Sequence, residues 1–231
     1  MKKPHVNIPV FIPHLGCPNM CVFCNQRAIS GVSSFLRESA ETTIADVLAT
    51  VRADADCEIA FFGGSFTGID RALMTDLLDL AQSYVNSGRV SGIRMSTRPD
   101  YIDEEIIGIL KNYKISAVEL GIQSFSEHVL ASCKRGHSSE CSRAAMTMLR
   151  ESGFHTVGQM MIGLPGASLA DELACAEEIC RLGASGCRIY PTIVFRDTEL
   201  HRMTEQGGYH PLTLDEAVAR SAAVLDVFVR H

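Results

Sequence analysis

Cys17, Cys21 and Cys24 are spaced C-x3-C-x2-C, three thiols within eight residues. Thiolates on one tight loop suit three corners of a [4Fe–4S] cluster, which leaves the fourth iron open to a substrate or cofactor. An electron-transfer cluster ordinarily takes four cysteines, so a triplet points to chemistry at the open iron. Two other readings compete. A structural zinc site would need a fourth ligand, for which His14 is close by, although zinc ligands usually come as two separated pairs. Buried inert cysteines are common one at a time but rarely cluster. The remaining six, Cys57, Cys133, Cys141, Cys175, Cys180 and Cys187, form no second ligand motif.

Composition narrows the setting of that chemistry. The chain has 231 residues, 46% hydrophobic and 21% charged, with 18 Gly and 8 Pro, which excludes a disordered or collagen-like chain. Nine cysteines are an odd number, and the opening Met1-Lys2-Lys3-Pro4-His5 lacks an apolar leader. A disulfide framework therefore fits poorly, and a cytoplasmic location is expected. No apolar run reaches the ~18 residues of a membrane span. A net charge of −6 gives no overall field to attract nucleic acid or an anionic membrane.

Short β-branched and aromatic runs alternate with helical patterns, which predicts repeated βα units. Strands are expected at Val6–Ile12, Glu58–Phe62, Ile93–Thr97, Ala117–Ile122, Thr156–Ile162 and Cys187–Val194. Helices are expected near Thr42–Arg52, Arg71–Asn86, Glu104–Lys111, Glu127–Ser132, Ser139–Glu151 and Leu169–Leu182. A last one starts at Leu214 behind a Thr213/Glu216 capping box, and Ser168/Asp171 offers a similar start to the sixth. The strands read as largely apolar on both faces. Six such units predict an α/β fold, a partly open (βα)6 barrel with its chemistry at the C-terminal strand ends. One domain over residues 1–231 is the economical organisation. The helical pattern is still running at Arg230-His231, so the natural chain is expected to continue.

Further segments follow the triplet in order: Gly63-Gly64-Ser65-Phe66, Ser96-Thr97-Arg98-Pro99-Asp100-Tyr101, Val118–Ser124, Arg135-Gly136-His137 and Ile189-Tyr190-Pro191-Thr192. Together they resemble the radical S-adenosylmethionine superfamily, most closely the catalytic subunit of Elongator and its bacterial relatives, without the acetyltransferase domain. The resemblance implies a [4Fe–4S] cluster on Cys17, Cys21 and Cys24, with S-adenosylmethionine chelated at the open iron. It implies reductive cleavage to a 5′-deoxyadenosyl radical that takes hydrogen from a substrate, and an electron donor such as flavodoxin or ferredoxin. By the same resemblance Gly63 and Gly64 meet the methionine end, with Ser65 in the same cofactor site. Gln123 and Arg135 are assigned to the ribose and carboxylate, and Gln159 faces the cofactor or is a satisfied core amide; Phe23, between two of the cysteines, packs against the adenine or belongs to the core. Ser96 stands where many relatives carry a carboxylate for the ribose hydroxyls, and a serine makes only part of that contact.

The substrate is not legible. Elongator-type enzymes act on the wobble uridine of transfer RNA, which makes tRNA a candidate partner. A small patch of Lys111, Lys114, Lys134 and Arg135 is the only basic footprint for it. A core like that of oxygen-independent coproporphyrinogen oxidase and a non-catalytic metal-binding module are the rivals. Among individual residues, Glu119 in an apolar strand needs a partner, with Arg135 or Arg98 as candidates. Arg98 itself would bind an anionic group or pair with Asp100. Tyr190 on the sixth strand either reaches the site or lies in the core, and the core is the expectation.

Overall fold

Six parallel strands form one sheet whose spatial order repeats the order of the sequence: β1 His5–Ile12, β2 Asp56–Gly63, β3 Gly92–Thr97, β4 Ile115–Gln123, β5 Thr156–Ile162 and β6 Gly186–Pro191. The computed structural model describes residues 3–12, 15–17, 21–25 and 35–231. Pro13, His14 and the zinc role considered for His14 lie outside them. Because each strand lies beside its predecessor, right-handed crossovers place the connecting helices on one face, and the sheet curls into a half-barrel. β1 and β6 are its free edges. That explains how β1 accommodates Pro9, which has no N–H to donate to a ladder.

Eight helices occur among the described residues: α1 Arg37–Thr50, α2 Arg71–Asn86, α3 Glu104–Leu110, α4 Glu127–Ser132, α5 Ser139–Glu151, α6 Leu169–Arg181, α7 Glu199–Glu205 and α8 Leu214–Arg230. Both expected capping boxes are present, Ser168 with Asp171 on α6 and Thr213 with Glu216 on α8. The first helix starts five residues before the expected Thr42, at Arg37. Seven-residue α7, opened by the Thr198 hydroxyl accepting from His201 N–H, was not expected, and β6 stops at Pro191 instead of Val194. No helix among the described residues is long and apolar enough to cross a membrane.

Alternation along each strand sorts side chains between the helices and the lumen. Toward the helices go Ile8, Val10 and Ile12 of β1, Phe61 of β2, Met95 of β3, Leu120 of β4 and Met160 of β5, all buried in one core cluster. α2 supplies Met74, Leu77, Leu78 and Ala81 to it at helical spacing. The opposite face is not the apolar surface that was expected. It carries Asn7, Ser96, Glu119, Gln159 and Arg188 among aromatic rings.

An ion-pair clamp joins α5 to α6. Arg143 and Arg181 each donate to Glu178 at 2.6 Å. The Arg181 hydrogen bond, with Arg143 adding to it, outweighs burial and lowers the Glu178 pKa to about 2. Its folded value lies below the unfolded carboxylate value of about 4.3. The stabilisation is therefore full above about pH 4.3 and lost as pH falls through about 2. Thermal unfolding followed from about pH 6 down to about pH 2 is expected to show a smaller acid loss in Glu178→Gln than in the parent. An identical acid slope in the two proteins would count against the clamp.

Candidate functional site

The C-terminal ends of the strands gather the predicted chemistry. The cysteine loop leaves β1 and crosses directly over the turn after β2. Gly64 N–H donates to Ile12 O at 2.7 Å and Ser65 N–H to Leu15 O at 2.9 Å. This crossing is possible because of two glycines: a Cβ on Gly64 would lie 2.1 Å from Leu15 O, and one on Gly16 2.1 Å from Ser65 O. Phe66, next in the chain, stacks on Phe61 with ring centroids 4.5 Å apart and locks the turn to the core.

The other end of the cysteine loop is pinned by the far side of the barrel. Val22 N–H donates to Cys133 O at 3.1 Å, and Val22 O accepts from Leu200 N–H of α7 at 2.8 Å. A turn bond from Cys24 N–H to Cys21 O at 3.0 Å sets the last two thiols beside each other. Helix α7, invisible in the sequence pattern, is thus part of the support of the cysteine loop.

Cys17, Cys21 and Cys24 line an inner cavity of about 220 Å³ together with Phe23, Gly63, Gly64, Ser96, Gln123, Arg135 and Gln159. Every residue singled out from the sequence except Ser65 therefore reaches this wall. Ser65 is fully buried behind it: its hydroxyl bonds Thr97 Oγ1 at 2.9 Å and accepts Arg98 N–H at 3.0 Å. Its side chain holds the end of β3 in place. Thr97 and Arg98 line the cavity in addition; Arg98 has an anion-binding role among its sequence readings, whereas Thr97 is part of its motif without a role.

Two buried polar atoms at this cavity lack a partner among the described residues, Arg98 Nη1 and Gln123 Oε1. Arg98 is otherwise spoken for. Nε and Nη2 bind Asp100 in a fork at 2.8 Å each, and Nη2 also donates to Arg135 O at 2.7 Å. Of the two roles considered for Arg98, pairing with Asp100 is realised, and one donor is left for an anionic or carbonyl group. Gln123 ends β4 with φ of 68°, after a register shift beside Gly121. Orphaned buried polar atoms are rare because each costs about 1–3 kcal/mol, so a donor and an acceptor on two residues that line one cavity single it out as a candidate ligand site.

The thiols sit in a cationic setting. Burial pushes the Cys17 thiol up, and Arg98 is the strongest influence pulling it back. Arg135 donates to Cys21 Sγ at 3.2 Å. Among the described residues no three His, Cys, Asp or Glu side chains are grouped to hold one metal ion. A mononuclear zinc draws its sulfurs to about 2.3 Å of one point, whereas a cluster spreads its thiolates over separate irons. The donor set, three thiols beside arginine and amide groups with no carboxylate among the described residues that line the cavity, fits an iron–sulfur cluster with a polar organic ligand.

A larger cavity of about 660 Å³ opens from the same place into the lumen and shares Phe23, Cys24, Gly63, Ser96, Gln123 and Gln159 with the first. Phe11, Phe62, Met161, Tyr190 and Phe195 make it largely apolar. Tyr190, expected in the core, is 42% exposed on this wall because edge strand β6 has no neighbour to cover it. The only charged residues lining this cavity among the described ones are Glu119 and Arg188, and they neutralise each other.

Glu119 is 0% exposed and its partners differ from those expected. Arg188 grips it at 2.5 and 2.7 Å, Arg94 donates at 3.0 Å, and the Gln159 amide at 2.9 Å. Burial alone would raise the pKa of Glu119; the hydrogen bonds from Arg188, Gln159 and Arg94 hold it below the usual carboxylate range. Arg135 and Arg98, the candidates named from the sequence, face the cysteines instead. A groove of about 710 Å³ between α3 and α5 is bigger than the inner cavity, but it lies on the outer helical surface with no cysteine in its lining.

Comparison with known proteins identifies the family. The profile described as Radical SAM superfamily matches residues 11–179, and that of a Radical_SAM C-terminal domain matches residues 184–231. A tRNA uridine(34) acetyltransferase of Methanocaldococcus infernus is 34% identical over 133 residues, 56% of this chain and 25% of its own length. An uncharacterized protein of Methanocaldococcus jannaschii is 28% identical over 227 residues, 93% of this chain and 69% of its own. Among solved structures, the archaeal Elp3 of M. infernus with an N-terminal deletion superposes with a TM-score of 0.75 at 22% identity, covering 97% of this chain and 54% of that one. The match thus spans about a quarter of the first of these curated relatives.

Proposed function

We propose that this chain, which belongs to the radical SAM superfamily, is an enzyme that holds a [4Fe–4S] cluster on Cys17, Cys21 and Cys24 and cleaves S-adenosylmethionine in the adjoining cavity. The carrying observation is the inner cavity itself, lined by the three cysteines together with Arg98 and Gln123, each of which carries a buried polar atom without a partner among the described residues. When bound, the pair supplies one-electron cleavage of a sulfonium bond and abstraction of hydrogen from a substrate. The protein supplies position, a dry cavity and the local field.

Each wall residue has a role within its reach. Arg98, immobilised by Asp100, offers Nη1 to a carboxylate or carbonyl, and Gln123 offers Oε1 to a hydroxyl or ammonium. Gly63 and Gly64 let a ligand approach the backbone closely. Ser96 donates to Gln159 Oε1 at 3.4 Å, a long bond that a ribose hydroxyl can replace. Glu119 lies close by but is committed to Arg94, Arg188 and Gln159, so it does not substitute for a ribose-binding carboxylate. Phe23 stands between the two cavities, and the aromatic lining of the outer one offers an apolar surface to a substrate where it would meet the cofactor.

The single sheet runs through both matched segments, with β6 and α8 in the second, which supports reading residues 1–231 as one core. A tRNA substrate is the second reading, favoured by the tRNA-modifying archaeal relative. The cations considered for holding RNA do not act together: Arg135 is buried at the cysteines, and Lys134 is bound to Glu199 at 2.6 Å. An electron donor of the flavodoxin or ferredoxin type and a cytoplasmic setting belong to the same proposal.

The test is anaerobic reconstitution of the chain with iron and sulfide, followed by dithionite and S-adenosylmethionine. 5′-Deoxyadenosine is expected to form, and faster with the true substrate; unmodified tRNA is the first to add. A fully assembled cluster that yields no 5′-deoxyadenosine overturns the proposal.

A further inference from the structure

Arg135 emerges from a kinked turn. Lys134 before it has φ of 53°, Gly136 after it has φ of 76°, and its carbonyl is held by Arg98. The turn drives the side chain inward, where it is 6% exposed and its guanidinium meets three different acceptors. Nη2 donates to Gly121 O at 2.5 Å, Nη1 to Cys21 Sγ at 3.2 Å, and Nε to His137 Nε2 at 3.2 Å.

The third bond defines the state of the imidazole. Arginine has donors only, so Nε2 of His137 must present a lone pair, and the ring proton sits on Nδ1. Nδ1 faces Ser138 O at 3.3 Å, which only accepts, and that agrees with the tautomer. Burial first, and the Arg135 charge second, lower the His137 pKa to about 4, so the ring is neutral near pH 7. Here a neutral ring orients a cation by its Nε, and the fork of that cation reaches a sulfur.

We infer that His137 is a positioning residue that holds the Arg135 guanidinium against the Cys21 sulfur and thereby sets the reduction potential of the cluster. This rests on the proposed cluster ligation by Cys21. One-electron reduction adds a negative charge to the cluster and its thiolates, so a cation hydrogen-bonded to a ligand sulfur stabilises the reduced form more than the oxidised one. Without His137, Nε loses its acceptor and the fork loses one of three anchors. The guanidinium then spends less time on the sulfur, and the potential falls.

The experiment uses reconstituted wild type, His137→Leu and His137→Gln, without S-adenosylmethionine. Iron and sulfide content is measured first, then the spin signal of the reduced cluster against poised potential. His137→Leu is expected to keep its cluster but to lower the reduced-to-oxidised ratio at a fixed poise about tenfold, which is about 59 mV for one electron. His137→Gln, whose amide oxygen can accept the Nε bond, is expected to stay close to wild type. A fully loaded His137→Leu protein with an unchanged midpoint overturns the inference. If that variant fails to fold, Arg135→Gln reads the same sulfur contact: a negative shift supports it, and an unchanged midpoint overturns it. Wild type that assembles no [4Fe–4S] cluster overturns the ligation reading instead, and the inference falls with it.

Discussion

Glu119→Ala is expected to lower folding stability by about 3–5 kcal/mol, the usual effect of removing one partner from a buried ion pair. Four hydrogen bonds converge on the carboxylate from three other strands: one from Arg94 on β3, one from Gln159 on β5, and two from Nε and Nη2 of Arg188 on β6. With Glu119 gone, Arg94 keeps Glu58 at 3.0 Å among the described residues, and Arg188 keeps its contact over the Phe62 ring. The damage is therefore uncompensated charge in the lumen rather than lost packing. Denaturant unfolding of the apo chain measures it directly. Adding Arg188→Leu to Glu119→Ala is expected to restore part of the loss, since removal of both charges leaves less unpaired. A Glu119→Ala protein within about 1 kcal/mol of the parent would mean that the network is solvated and contributes little.

Cys24→Ala is expected to have the opposite profile, with little effect on folding and a near-complete effect on chemistry. Cys24 is half-buried at the junction of the two cavities, so trimming it leaves no large void in the core. Losing one of only three cluster ligands should exceed the roughly 10–100-fold cost of losing an outer-shell partner. Iron content and 5′-deoxyadenosine formation should therefore both fall by more than about 100-fold. Cys57→Ala is the matched control. Its sulfur is buried in the core cluster, so it should weaken folding measurably and leave the iron content unchanged. If Cys24→Ala retains a full cluster and cleaves S-adenosylmethionine, the ligand assignment is wrong.

Much of this arrangement was legible before any coordinates. Periodicity placed all six strands, and the caps at Ser168 and Thr213 marked two helix starts, because these are local properties of the chain. α7 escaped because it is one short helix between Pro191 and Gly207 whose purpose, binding Val22 O through Leu200 N–H, is tertiary. The partners of Glu119 were misjudged for a related reason. Arg94 and Arg188 lie 25 and 69 residues away, and only the register of β3 against β4 and the inward turn of β6 bring them to it. Ser65 belongs to the motif by position, but its side chain points behind the wall toward Thr97.

By itself the sequence determined the kind of chemistry, since three thiols at C-x3-C-x2-C can be recognised without knowing where the rest of the chain goes. It also determined the βα rhythm, because strand and helix periods are set by neighbours a few residues apart. Only the tertiary structure decided which charges neutralise each other, which buried polar atoms stay without a partner among the described residues, and which arginine touches the Cys21 sulfur. Those outcomes depend on strand register and on which face of an edge strand stays uncovered. Arg135, Glu119 and Tyr190 took their places from packing between segments distant in the chain, which no local pattern encodes.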